Sequence, residues 1–214
     1  MAALKVWDVV AKERMRLVEE LRPFPAESFA VGSLCVGWDV HDVLAHLIDT
    51  AKTSRLRFIM AMARARGGFD RANAAGIARE RRADAQATVT ELANVASLTR
   101  TPPAPLATRL VEAFVHGEDI RRPLGLRGEY PPEAVVAGLD HQCRTSASMG
   151  GSKAIVAGVR LEATDADFVR GHGPTLSGPA MDILLAVTGR PVPTVALSGP
   201  GAELVRERLA RARL

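Results

Sequence analysis

The sequence has few aromatic side chains and few cysteines, and it lacks a long hydrophobic run. Aromatic residues make up 4% of the 214 residues and the basic residues are scattered, whereas nucleic-acid binding favours a dense basic stripe with stacking aromatics. The longest strongly apolar run, Ile183 to Val187, is far shorter than the roughly 18 residues of a membrane-spanning helix. The two cysteines, Cys35 and Cys143, cannot form a disulfide framework. We therefore expect a soluble protein that binds neither nucleic acid nor membrane.

Familiar enzyme motifs are missing too: the chain contains no GxSxG, no P-loop and no GxGxxG. What remains is ordinary globular composition, since 47% of the residues are hydrophobic and 24% are charged, which excludes fibrous and largely disordered proteins. Lys5, Asp8 and Lys12 interrupt the first apolar stretch, which argues against a secretory signal peptide. The expected location is therefore the cytoplasm.

The first 150 residues have the periodicity of amphipathic helices, and the last sixty or so show a mixed pattern. Apolar residues recur near every 3.6 positions in the N-terminal part, and Pro or Gly stands where each helix should end. Five helices are predicted: residues 3–21, 39–66, 79–98, one ending near residue 122, and one beginning at residues 131–133.

The second predicted helix has the clearest start. Asp39 is suited to cap it, and Asp42 stands three residues later in the capping-box position. Its apolar pattern continues as far as Arg66, just before Gly67 and Gly68. His41, in the first turn, is expected to be exposed.

After Gly150 the pattern changes to short strands and helices. Residues 158–164 alternate like a half-buried strand, with residues 167–171 as a candidate hairpin partner. Residues 178–189 predict a short helix, residues 194–198 a strand, and a last helix follows. The fold class is therefore α+β, with a helical bundle of four to five helices at 1–150 and a small α/β domain at 151–214.

Three polar residues are candidate metal ligands. Glu112 and His116 are four residues apart, so they lie on one face of the fourth helix. His46 is expected to face the bundle core from the second helix. Two His and one Glu leave a coordination position open, as catalytic zinc sites do. An exposed Glu–His pair or hydrogen-bonded core histidines would give the same spacing.

Two acids are candidates to orient these imidazoles. Asp119 follows His116 by three residues, and Asp42 precedes His46 by four. Either acid is equally suited to capping a helix or pairing with an arginine. Nothing basic lies next to Cys35 in sequence, so a reactive thiol of the chain itself is not expected.

Two motifs carry a family resemblance. Trp38-Asp-Val-His-Asp-Val-Leu-Ala-His46-Leu, followed by Glu112-x-x-x-His116-Gly-Glu-Asp-Ile-Arg-Arg-Pro-Leu-Gly125, resembles the mycothiol-dependent maleylpyruvate isomerase family. Segments of the C-terminal part, among them Leu184-Leu-Ala-Val-Thr-Gly-Arg190, agree as well. The resemblance implies a DinB-like metal-binding bundle of up-down helices followed by a small domain similar to sterol carrier proteins.

The resemblance also implies a chemistry. His46, Glu112 and His116 would bind a divalent metal, Zn²⁺ in the first place, with Ni²⁺ or Fe²⁺ as alternatives. The thiol of the cofactor mycothiol would be held as a thiolate that attacks an electrophilic carbon, and Arg190 would bind a substrate carboxylate. No residue is assigned to the thiol. The cofactor implies an actinobacterial source, which the Arg- and Ala-rich composition fits.

The expected function is thus an isomerase or S-transferase that uses mycothiol on an electrophilic small molecule. The substrate does not follow from the motifs. The alternative is a non-enzymatic protein of the same fold that binds a metal or a small ligand. The expected assembly is a monomer or a homodimer.

Overall fold

The computed structural model describes residues 5–212, and these contain nine α-helices and one three-stranded sheet. The predicted α+β class is confirmed. The chain divides into two compact units, residues 5–128 and 129–212. Within the described residues no helix is both long and apolar enough to cross a membrane.

The N-terminal unit is a bundle built around four helices. The unit contains α1 (Val6–Leu21), α2 (Val40–Lys52), α3 (Arg55–Arg64), α4 (Phe69–Glu80), α5 (Ala85–Val95) and α6 (Ala107–Arg121). Helices α1, α2, α5 and α6 pack on one another, and α4 packs on α2. A single core of aliphatic residues fills the space between them; Leu17, Leu44, Ile48 and Leu92 are almost completely buried there.

The capping box predicted for α2 is present. The Asp39 carboxylate accepts from the Asp42 amide at 2.7 Å, and the Asp42 side chain accepts from the Asp39 amide at 3.3 Å. The expected continuation to Arg66 is wrong, because Thr53 is extended and Ser54 caps a separate helix, α3. The predicted helix at residues 79–98 corresponds to α5; residues 79 and 80 instead end α4, a helix that was not predicted.

The C-terminal unit combines three helices with the sheet. Strand β1 (Arg160–Ala163) pairs antiparallel with β2 (Val169–Arg170), as the expected hairpin requires, and parallel with β3 (Thr175–Gly178). The strand expected at residues 194–198 is wrong: Thr194–Ala196 is a short 3₁₀ turn, and Ser198 makes only an isolated bridge to Ser177. The helices are α7 (Pro132–Arg144), α8 (Ala180–Val187) and α9 (Pro200–Ala212).

Helix α7 belongs to the packing of the second unit. It was expected to be the fifth helix of the bundle, but its close contacts are with α8. Buried Ser152, beyond its C-terminus, donates to the Val187 carbonyl at 2.6 Å and accepts from the Gln142 amide at 3.1 Å. The compact units therefore divide at residues 128 and 129, while the domain limits 1–150 and 151–214 remain a proposal from the sequence.

Candidate functional site

Two of the three candidate ligands lie side by side in the bundle. His46, on α2, is buried, and His116, on α6, is half-buried. Their ring centroids are 4.9 Å apart, with the rings edge to face. Since α2 and α6 are neighbours in the bundle, residues far apart in sequence meet here, as the inward-facing helical pattern predicted.

Asp119 orients the His116 ring. Its carboxylate, completely buried one turn along α6, lies 2.9 Å from His116 Nδ1. A carboxylate on one ring nitrogen fixes the tautomer and leaves the lone pair on the other, here Nε2. The second suggested orienting acid, Asp42, instead closes the capping box and binds Arg81 at 2.7 Å.

Trp38 packs against both histidines. The indole lies 5.0 Å from the His46 ring and is stacked 6.3 Å from the His116 ring, measured between centroids. The loop that carries Trp38 is tied to α6, because the Leu34 amide donates to the Asp119 carbonyl oxygen at 3.3 Å. This neighbour was not identified from the sequence, although Trp38 stands directly before the Asp39 cap.

Glu112 lies on the same helix as His116 but binds other partners. Its Oε1 accepts from the Thr50 hydroxyl at 2.8 Å, and its Oε2 lies 2.8 Å from Arg109 Nη1. Arg109 is buried, and the sequence alone did not single it out. Its position three residues before Glu112 was the available signal, because residues at that spacing meet on a helix.

A second buried arginine lies near this ion pair. Burial lowers the pKa of Arg14, while the Glu112 carboxylate raises it and Arg109 lowers it further. Arg14 Nη1 donates to the Ala96 and Leu98 carbonyl oxygens at 3.3 and 3.1 Å. Two buried arginines, Arg14 and Arg109, therefore lie close to the Glu112 carboxylate.

His46, Arg109 and Glu112 border a cavity of about 220 Å³, whereas His116 is not part of its lining. Its polar wall comes from α2 and α6 and includes His46, Thr50 and Glu112. Its apolar wall is formed mainly by α3 and α4, where the Phe58 and Phe69 rings are 6.3 Å apart. The cavity therefore presents donor atoms on one side and a water-excluding surface on the other.

The donor types fit a divalent metal, but the three side chains are not gathered around one point. Within residues 5–212, no group of three or more His, Cys, Asp or Glu side chains is arranged to hold a metal ion. The two imidazoles meet each other, whereas the Glu112 carboxylate is bound to Thr50 and Arg109. The predicted ligand set therefore stays a prediction.

The remaining sequence candidates lie elsewhere. Arg190, in the C-terminal unit, donates to the Thr188 carbonyl oxygen at 3.0 Å and lines a mainly apolar cavity of about 250 Å³. Cys143 is buried, and burial raises the pKa of its thiol to about 12, which suits a structural rather than a nucleophilic role. His41 is buried and bonds Thr88 at 2.7 Å, so its expected exposure is wrong.

Comparisons with known proteins bear on the N-terminal part of the chain and on the fold. Residues 10–101 match the family model of the mycothiol maleylpyruvate isomerase N-terminal domain; this segment contains His46 but ends before Glu112. Two solved structures cover 92% of this chain and 92% of their own at 16% identity: a mycothiol-dependent maleylpyruvate isomerase (TM-score 0.62) and a histidine-to-alanine mutant of it (TM-score 0.60). At this identity the likeness shows the fold. No curated protein matches the chain.

Proposed function

We propose that this chain, whose residues 10–101 match the N-terminal domain model of the mycothiol maleylpyruvate isomerases, is an enzyme of that family and uses mycothiol on an electrophilic small molecule. Isomerisation and S-transfer are the two reactions that this proposal admits. The observation that carries it is the pair of adjacent imidazoles, His46 and His116, with Asp119 behind the second. The proposal includes a cytoplasmic location and a monomeric or homodimeric state.

We assign a divalent metal to His46, His116 and Glu112, with zinc as the first candidate and nickel or iron as alternatives. When bound, such an ion lowers the pKa of a coordinated thiol and holds it as a thiolate near neutral pH. Asp119 keeps the lone pair of His116 on Nε2. Trp38 fixes the orientation of both rings by packing on them.

Thr50 and Arg109 act on the third ligand. They hold the two oxygens of Glu112 in place, and each carboxylate oxygen has a second lone pair for another partner. The Arg109 guanidinium also balances the negative charge of Glu112. The aromatic wall of the cavity, with Phe58 and Phe69, excludes water from an electrophile placed beside the histidines.

Arg190 is the candidate for binding a substrate carboxylate. It is half-buried among apolar residues, where a guanidinium–carboxylate pair is stronger than in water. Arg190→Met should raise the KM for an anionic substrate about tenfold or more with a smaller effect on kcat. Arg206→Met is the matched control, since Arg206 lines the same cavity but is exposed and paired with Glu203 at 2.8 Å.

Metal content is the first test. The purified protein should carry about one divalent ion per chain by inductively coupled plasma mass spectrometry, as a three-ligand site requires. The His46→Ala/His116→Ala double variant should carry none, and the His172→Ala control, altered at an exposed loop histidine, should keep it. If the native protein carries no metal even after incubation with divalent ions, the metal assignment is wrong.

Thiol dependence is the second test. Titration with mycothiol in a calorimeter should show binding to the metal-loaded protein that is lost in the double variant. Electrophiles such as cis-configured α,β-unsaturated keto acids should then be isomerised or conjugated only when mycothiol is present. Binding of metal without consumption of any electrophile would favour the non-enzymatic alternative, which the contacts of Glu112 with Thr50 and Arg109 also fit.

A further inference from the structure

A second and larger cavity lies between α3 and α4. Its volume is about 510 Å³, and it shares Ala61 and Ala72 with the cavity beside His46. Arginine and small or flexible apolar residues form its whole lining, and no acidic side chain contributes to it. The lining consists of Arg57, Met60, Ala61, Arg64, Ala65, Arg71, Ala72, Ala75 and Arg79.

Two of its four arginines are paired with acids behind the cavity. Arg79 bonds Asp49, and Arg57 lies 3.5 Å from Asp49 and 3.4 Å from Glu80. Asp49 is fixed by close packing of α2 against α4, since a Cβ at Gly76 would lie 2.2 Å from its Oδ2. These pairs hold the two guanidinium groups in place and balance their charge.

The other two arginines keep an unbalanced charge. Arg71 donates twice to the Ala65 carbonyl oxygen, at 2.9 and 2.7 Å, and this neutral acceptor fixes the guanidinium without neutralising it. The guanidinium of Arg64 makes no hydrogen bond or ion pair with any residue in the described range 5–212. The cavity therefore carries an excess of about two positive charges.

The segment that forms α3 contributes no acid to the cavity. Between Asp49 and Asp70 the chain contains arginine and lysine but no aspartate or glutamate. The alanines of the lining leave space where longer side chains would fill the groove. An occupant must then bring negative charge itself, and a phosphate group supplies close to two charges with several acceptor oxygens.

We propose that the arginine cavity between α3 and α4 binds the phosphate group of a small molecule or of a lipid. Arginine is suited to this task because its planar fork of donors matches phosphate oxygens two at a time. The site goes beyond the proposed function, since none of its residues is a candidate metal ligand. The lipid source is included because Leu56 and Ile59 of α3 are 67% and 58% exposed.

Isothermal titration with inorganic pyrophosphate tests the site on the full chain. The native protein should bind it, and Arg64→Ala should weaken binding about tenfold, the loss expected for one charge-assisted contact. Arg55→Ala is the matched control, because Arg55 is an exposed arginine of the same helix outside the lining. It should leave the affinity unchanged within twofold.

An added negative charge gives a second variant that keeps every arginine of the lining. Ala75→Glu places a carboxylate in the lining at an exposed helical position, where a pair with Arg79 four residues on supports the helix. It should keep the melting temperature and abolish pyrophosphate binding.

Vesicles distinguish the two sources of phosphate. Cosedimentation with phosphatidylglycerol vesicles but not with phosphatidylcholine vesicles, lost in Arg64→Ala, would assign the site to a lipid headgroup. Pyrophosphate binding without cosedimentation would assign it to a free phosphorylated molecule. The proposal is overturned if neither probe binds, or if Arg55→Ala weakens binding as much as Arg64→Ala.

Discussion

Helices α2 and α3 follow each other with only Thr53 and Ser54 between them, yet they differ in almost every physical respect. Nine of the thirteen residues of α2 are buried, and it packs on three helices and supplies His46. None of the ten residues of α3 is buried, and its main packing partner is α4. The same kind of apolar pattern in the sequence therefore gives two different outcomes. The apolar side chains of α2 fill the core, whereas those of α3 line cavities or remain exposed.

Hydrogen exchange should show the largest difference. Amides of α2 can open only with the bundle, whereas α3 lacks buried side chains and can open by itself. We expect opening free energies in the middle of α2 to exceed those in α3 by about 5 kcal/mol, a large part of the stability of a typical domain. Equal protection of the two helices would contradict the comparison.

Truncation of one leucine in each helix should give the next largest effect. Leu44, completely buried in α2, leaves a cavity in the core when changed to alanine, at a cost of about 2–5 kcal/mol in the free energy of unfolding. Leu56→Ala in α3 should change that free energy by less than about 0.5 kcal/mol. Urea denaturation of both variants measures the difference.

Removal of the helix caps should have a smaller effect of the same direction. Asp39→Ala breaks the capping box of α2 and the bonds to Arg81, so a loss of about 2 kcal/mol is expected. Ser54→Ala removes one bond at the start of α3 and should cost about 0.5 kcal/mol. Asp39→Asn, which keeps the cap but loses the charge, should fall between them.

Asp39 also sets a pH dependence. Burial raises the pKa of its carboxyl, but the Arg81 guanidinium and the Asp42 amide outweigh burial and hold it below the ordinary value of 3.8. An acid with a depressed pKa stabilises the folded state above its ordinary pKa and loses this contribution as the pH falls below it. Acid titration of the melting temperature should therefore show a loss below about pH 4 that Asp39→Asn reduces.

His41 should give the smallest effect. Burial, assisted by Arg81, lowers its pKa below 6.5, although Asp39, Asp42 and Asp84 oppose the change. The unfolded chain then binds a proton more readily, so stability is complete above pH 6.5 and decreases as the pH falls below it. His41→Gln should flatten this slope in thermal melts, and His172→Gln, at an exposed position, should not.

The bundle could be predicted where local signals and periodicity agreed. Asp39 and Asp42 carried a capping signal that the structure confirms. The break at Thr53 and Ser54 was missed because the apolar pattern continues across it. Strand β3 was missed because its pairing with β1 is parallel and non-local, and such pairing leaves no short-range turn signal.

The site was predictable only in part, because its contacts depend on how helices distant in sequence face each other. The spacing of Glu112 and His116 on one helix and the inward position of His46 pointed to one region, and the two imidazoles do meet. The partners of Glu112 depend on which side of α6 faces α2, so Thr50 could not be found from spacing. Arg109 precedes Glu112 by three residues, but the apolar periodicity of the sequence gave no indication that its side chain is buried.

The position of Trp38 has an optical consequence. The chain has two tryptophans, Trp7 and Trp38, and the indole of the second lies 5.0 Å from the His46 ring. Indole emission is sensitive to a neighbouring imidazole and to any cation that the imidazole binds. A Trp7→Phe protein would thus emit from one tryptophan alone, beside the histidines, and would report events at the candidate site without an added dye.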